Sequence, residues 1–178
     1  MRIERHSGKP AAPAASPARQ VSGFIAKFDP ALARLVRAAR AALRTRFPTA
    51  VELVYDNYNA LAIGYSSTER TSDVIVSLAV YARGVNLYFM YGRSLSDPEH
   101  LLQGSGSQGA FIRLDDLGVL DRPAVAALLR EAVRDGETPL RKSGRGYTVI
   151  KAVSKKQRPR RAPAARPPAT ERRASTRP

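Results

Sequence analysis

DVIVSLAVYARGVNLYFMY, residues 73–91, reads as two strands around a tight turn at Arg83-Gly84. β-Branched and aromatic residues dominate both halves, as suits a pleated, half-buried surface. A two-residue loop fixes the register, because hairpin pairing follows loop length. With the turn at Arg83-Gly84, Val80 faces Leu87, Leu78 faces Phe89 and Val76 faces Tyr91. The other side pairs Tyr81 with Asn86, Ala79 with Tyr88 and Ser77 with Met90. The first side is apolar throughout and belongs in a core, where each such side chain contributes about 1.5–3 kcal/mol on burial. The second mixes small residues with Tyr81, Asn86 and Tyr88. It is either a packing surface for another element or a second copy, or a shallow aromatic-floored ligand site.

Upstream, Phe24, Ile25 and Phe28 recur at helical spacing within Val21–Phe28. Asp29-Pro30 is a helix start, and Leu32, Leu35, Val36, Ala39 and Leu43 form one stripe ended by Pro48. Arg34, Arg37, Arg40 and Arg44 fall mostly off that stripe and read as a solvated face. Val51–Tyr55 and Asn59–Tyr65 suggest a second hairpin with the loop Asp56-Asn57-Tyr58, setting Val51 and Leu53 opposite Ile63 and Leu61. Downstream, Ser96-Asp97-Pro98-Glu99 has the form of a capping box and predicts a short helix through Leu102. A strand follows at Ala110–Leu114. Asp121 and Pro123 open a last helix with Val125, Leu128, Leu129 and Ala132 inward and Gly136 as its stop. Tyr147–Val153 is a sixth strand or a docking segment.

The expected fold is α+β: a small antiparallel sheet of about five strands packed by an N-terminal and a C-terminal helix. The expected organisation is a Pro/Ala-rich disordered tail at 1–20, one domain at 21–153, and a disordered basic tail at 154–178. The net charge of +15 divides unevenly. Residues 21–140 carry thirteen Lys/Arg and thirteen Asp/Glu, whereas residues 141–178 carry thirteen Lys/Arg against Glu171 alone. The basicity belongs to the C-terminal end rather than to a groove in the fold. Without a cysteine, the chain has no disulfide, no thiolate metal site and no thiol nucleophile. No stretch is long and apolar enough for a signal or a membrane span, so a cytoplasmic protein with no membrane partner is expected.

Gly104-Ser105-Gly106-Ser107-Gln108-Gly109 matches G-x-G-x-x-G by letter. A dinucleotide site needs a strand before that motif and a helix after it, and here the order is reversed. The backbone N–H groups and the hydroxyls of Ser105 and Ser107 would suit a small anion, the alternative being a turn without ligand. His6 and His100 stand alone, without a nucleophile elbow or a metal-ligand pair. No catalytic residue, metal site or cofactor is assigned. Asp56, Asn57 and Asn59, flanked by Tyr55 and Tyr58, form a polar loop that is either turn chemistry or a ligand contact. In the basic tail, Lys155, Lys156, Arg158, Arg160 and Arg161 are candidates for sequence-indifferent phosphate contacts.

Three stretches resemble the YdhG-like domain of unknown function, a family grouped by name with YjbR and CyaY-like domains. They are FIAKFDPALARLVRAARAALRTRFPTAVELVYDNYNALAIGY, LYFMYGRSLSDPEHLLQGSGS and DRPAVAALLREA. YTVIKAVSKKQRPRR is similar to a C-terminal extension of some members, and the likeness covers roughly residues 21–161. Many members carry Lys or Arg after the Gly-x-Gly of the glycine loop, where this chain has Ser107-Gln108. The resemblance implies a small α+β sheet with helices packed on it, and a weak iron-chaperone-like role by analogy with frataxin-like relatives. The expected function is a binding module, leaning away from an enzyme. It would take a small molecule, a protein or a second copy through Tyr81, Asn86, Tyr88 and the Asp56–Asn59 loop. The alternative is non-specific nucleic-acid binding through the tail.

Overall fold

A computed structural model describes residues 15–161. Three α-helices and six strands run in the order α1 (Pro17–Ala26), α2 (Pro30–Arg46), β1 (Val51–Asp56), β2 (Leu61–Ser66), β3 (Val74–Tyr81), β4 (Gly84–Phe89), β5 (Ala110–Leu114), α3 (Pro123–Arg134) and β6 (Thr148–Val153). The first five strands form an antiparallel meander, and β6 crosses back to lie parallel to β1 at the far edge. The fold is α+β, with a six-stranded, mostly antiparallel sheet.

Each helix starts where its chemistry allows. Ser16 accepts a hydrogen bond from the Arg19 N–H ahead of Pro17, so α1 begins inside the stretch expected to be a disordered tail. Asp29 accepts from the Ala31 N–H, and Pro30 sits at the first helical position of α2. Asp121 does not cap α3. Arg122 occupies the cap position without a side-chain bond, and Asp121 instead pairs with Arg46. The capping-box sequence gives one turn rather than a helix. The Asp97 carboxylate accepts from the N–H groups of Leu101 and Leu102, and His100 at φ 53° turns the chain away.

Val76, Leu78, Val80, Val85, Leu87 and Phe89 all reach the core, as the hairpin pattern requires. They meet Val21 and Ile25 of α1, Ala33, Val36, Ala39 and Leu43 of α2, and Val125, Leu128 and Leu129 of α3. The register differs from expectation by one pair. The loop is Ala82-Arg83, and Leu78 faces Leu87, Val76 faces Phe89, Ala79 faces Asn86 and Ser77 faces Tyr88. Gly84, at φ 152°, opens β4 with the Arg113 guanidinium packed where its Cβ would stand. The two-residue change keeps every side chain on its face. Tyr91 alone leaves the pattern, lying beyond β4 with its hydroxyl donating to the Ser72 carbonyl.

The β1–β2 hairpin departs further. Its loop runs from Asn57 to Ala60, so Leu61 and Ile63 face Asp56 and Val54, while Val51 and Leu53 face Ser66 and Gly64. Val51 and Leu53 therefore lie on the opposite side of the sheet from Ile63 and Leu61, in a small cluster with Val74, Tyr55, Met90 and Val149. The side of β1 turned to the helices carries Glu52 and Asp56, both buried.

Candidate functional site

Glu52 is a carboxylate beneath a helix, and α2 supplies its partners. Arg40 donates from Nε and Nη2 to the two carboxylate oxygens at 2.9 and 2.7 Å, a bidentate fork. Arg44, one turn on, donates from Nη1 at 2.7 Å, and the Thr148 hydroxyl of β6 adds a bond of 2.7 Å. Burial alone would push the Glu52 carboxyl up. The bonds from Arg40 and Thr148 and the charges of both arginines outweigh it and hold the group below its ordinary value. Burial likewise opposes the charged form of Arg40, but its bonds to Glu52 prevail and raise it. The Tyr65 phenol, donating to the Arg40 carbonyl at 3.3 Å, is pushed well up by burial and then by the Glu52 charge. It stays protonated.

A cleft of about 240 Å³ opens above this cluster, lined by Arg44, Phe47, Pro48, Ala50, Tyr65 and Arg145 among others. Its roof is the segment before β6. The Gly146 N–H donates to the Pro48 carbonyl at 2.7 Å, and a Cβ on Gly146 would fall 2.1 Å from the Ala50 carbonyl oxygen. Only glycine permits that approach, and it sets Arg145 over the cleft.

Asp56, expected as a ligand contact, is fully occupied inside the protein. Lys27 of α1 reaches it at 2.6 Å and Arg160 at 2.9 Å. Arg160, expected in a disordered tail, is a buried side chain at 4% exposure, stacked over Phe28 and also donating to the Asn57 carbonyl. The Gln157 amide and the Ser154 N–H both bind the Asp56 carbonyl, which lays residues 154–161 along the sheet end as an ordered strap. Lys155, Lys156, Arg158 and Arg161 remain exposed on it, Arg158 lying over the Tyr58 ring. Asn57 and Asn59 are exposed at the hairpin tip.

Tyr81, Asn86 and Tyr88 share the sheet face turned away from the helices. Tyr81 is 45% exposed. Tyr88 packs on Gly109, where a Cβ would fall 1.8 Å from its hydroxyl, and it faces Phe111 across the β4–β5 pair. Ser105 and Ser107 are exposed on the glycine loop beyond. The cation near that loop is Arg93, whose Nε donates to the Gly106 carbonyl. The topology thus brings Tyr81, Asn86 and Tyr88 together, and leaves Asp56 on the other side of the sheet.

No family model, curated protein or solved structure matches the chain.

A second cleft of about 280 Å³ lies between the start of β3 and the end of α3, floored by Ile75, Phe89 and Leu95 and rimmed by Asp73, Asp135 and Glu137. Arg70 and then Thr68 hold the Asp73 carboxyl below its usual range by hydrogen bonds, and Arg134 does the same for Asp135. Among the described residues no group of three or more His, Cys, Asp and Glu is placed to hold a metal ion, and no helix is long and apolar enough to cross a membrane.

Sequence reasoning missed Glu52 because hydropathy favours the other side of β1. The available signal was the pair Arg40 and Arg44, i and i+4 on a helix just upstream of a lone strand acid.

Proposed function

We propose that this domain is a binding module that works through the uncovered face of its sheet, with a second copy of the chain as its partner there. One observation carries the reading: α1, α2 and α3 pack on one side, leaving Ser77, Ala79, Tyr81, Asn86, Tyr88 and Phe111 on the other. The charge on that face beside Asn86 is Arg113, which Asp115 neutralises in an ion pair of 3.2 Å. Two copies can therefore meet there without opposing like charges, which cost several kcal/mol at an interface. Exposed tyrosines with small neighbours are the usual anchors of such contacts. Sedimentation of the full chain should give a dimer, and Tyr81→Asp with Asn86→Arg should give a folded monomer. A monomeric wild type at micromolar concentration would rule out the second copy.

The exposed cations of the strap favour a second reading, weak nucleic-acid binding. With Lys155, Lys156, Arg158 and Arg161 on phosphates, affinity for duplex DNA should fall with a log–log salt slope of about −3 to −4. Lys155→Glu with Lys156→Glu should flatten that slope by about half. An unchanged slope would sink this reading.

A further inference from the structure

We propose that the cleft above Glu52 binds a small oxyanion with an apolar body, an aromatic carboxylate being the simplest case, with the anion held between Arg44 and Arg145. The charge balance of the cluster is the first ground. Two guanidinium groups, Arg40 and Arg44, share one carboxylate, whose side chain is 2% exposed against 18% and 36% for theirs. The Glu52 oxygens are saturated by four hydrogen bonds. One positive charge is left over at the floor of the cleft.

Free donors are the second ground. Arg44 uses only Nη1, toward Glu52 and Thr148, so its Nε and Nη2 hydrogens have no partner among the described residues. Arg145 lines the same cleft, and its guanidinium joins no hydrogen bond or ion pair among the described residues. Two planar forks with spare N–H groups suit the flat, two-oxygen edge of a carboxylate.

The walls supply the third ground. Phe47 and Tyr65, with ring centroids 6.0 Å apart, join Pro48 and Ala50 as an apolar lining that a bare inorganic ion would leave wet. Arg145 is exposed, and the close contact of its neighbour Gly146 with Ala50 fixes the backbone that brings it to the cleft.

The test is calorimetric titration of the full-length protein with benzoate, benzyl alcohol and inorganic phosphate. Benzoate should saturate with a Kd of about 1 mM or tighter, weaken as salt is raised, and exceed both other probes at least tenfold. Arg145→Gln should lose benzoate binding at least tenfold while its urea midpoint stays at the wild-type value, because the Arg145 guanidinium bonds to no other group among the described residues and its carbonyl, which accepts from Arg141, is unchanged. Ala50→Leu, which fills the cleft from the wall, should do the same if it folds. Unaltered benzoate binding in Arg145→Gln would overturn the proposal, as would equal binding of benzyl alcohol. Equal binding of phosphate would overturn the apolar half of it.

Discussion

Glu52 takes four hydrogen bonds and two positive charges in a space that water barely reaches. Glu52→Gln would leave Arg40 and Arg44 facing each other. Breaking a fully buried pair from one side costs about 3–5 kcal/mol, and the partial exposure of both arginines brings the expectation to about 2–4 kcal/mol, read as a fall in urea midpoint. The pH dependence follows from the depressed carboxyl. Its folded value lies below the ordinary 4.5, so its stabilisation is fully present above pH 4.5 and is lost as pH falls through the lower folded value. The stability gap between wild type and Glu52→Gln should therefore stay constant from neutral pH to about pH 5 and close below that. Arg160 stands in the same relation to Asp56. Arg160→Met should cost about 2–3 kcal/mol, less than a bare buried carboxylate would, because Lys27 remains. The same change made on Asp56→Asn should cost less than on wild type, and equal costs in the two backgrounds would show that the pair is not coupled.

Elements with a strong local code were legible. Asp29-Pro30 is one, and its removal is a clean check: Asp29→Ala deletes the bond to the Ala31 N–H and should cost about 1 kcal/mol without altering the β-sheet signal. The β3–β4 hairpin is another, since its buried residues alternate from Val76 to Val80 and again from Val85 to Phe89. The limits have physical causes. Val51-Glu52-Leu53-Val54-Tyr55-Asp56 has its more apolar residues at odd positions, and a pattern rule turns those inward. The fold does the opposite, because cations on α1, α2 and the strap neutralise the two acids that this buries. A period counted along one strand cannot register partners that arrive from elsewhere in the chain. Ser96–Glu99 fails for a local reason, with the carboxylate of Asp97 rather than Ser96 taking the free N–H groups. The strap was unreadable because its composition is that of a disordered segment, and what orders it is a set of bonds from Ser154, Gln157, Arg158 and Arg160 to the end of β1 and the loop after it.

On the scale of the molecule, the helices cover one side of the sheet and the 141–161 segment finishes it. Thr148 completes the Glu52 cluster, Arg160 completes Asp56, and β6 pairs with β1 from Glu52 to Asp56. A chain ending after residue 146 should lose the cooperative unfolding of the full-length protein, by far-UV circular dichroism, because two buried carboxylates lose partners together. Retained cooperativity in the shorter chain would show that β6 is an accessory.

The parallel placement of β6 also orders events on the ribosome. Residues 51–134 can emerge, form the meander and gain their helices while β1 still presents a row of unpaired N–H and C=O groups. Only after residue 153 has left the exit tunnel can that border be closed, so every nascent chain passes through a stage with an adhesive flank. Stalled or degraded translation products ending short of β6 should therefore be the insoluble ones.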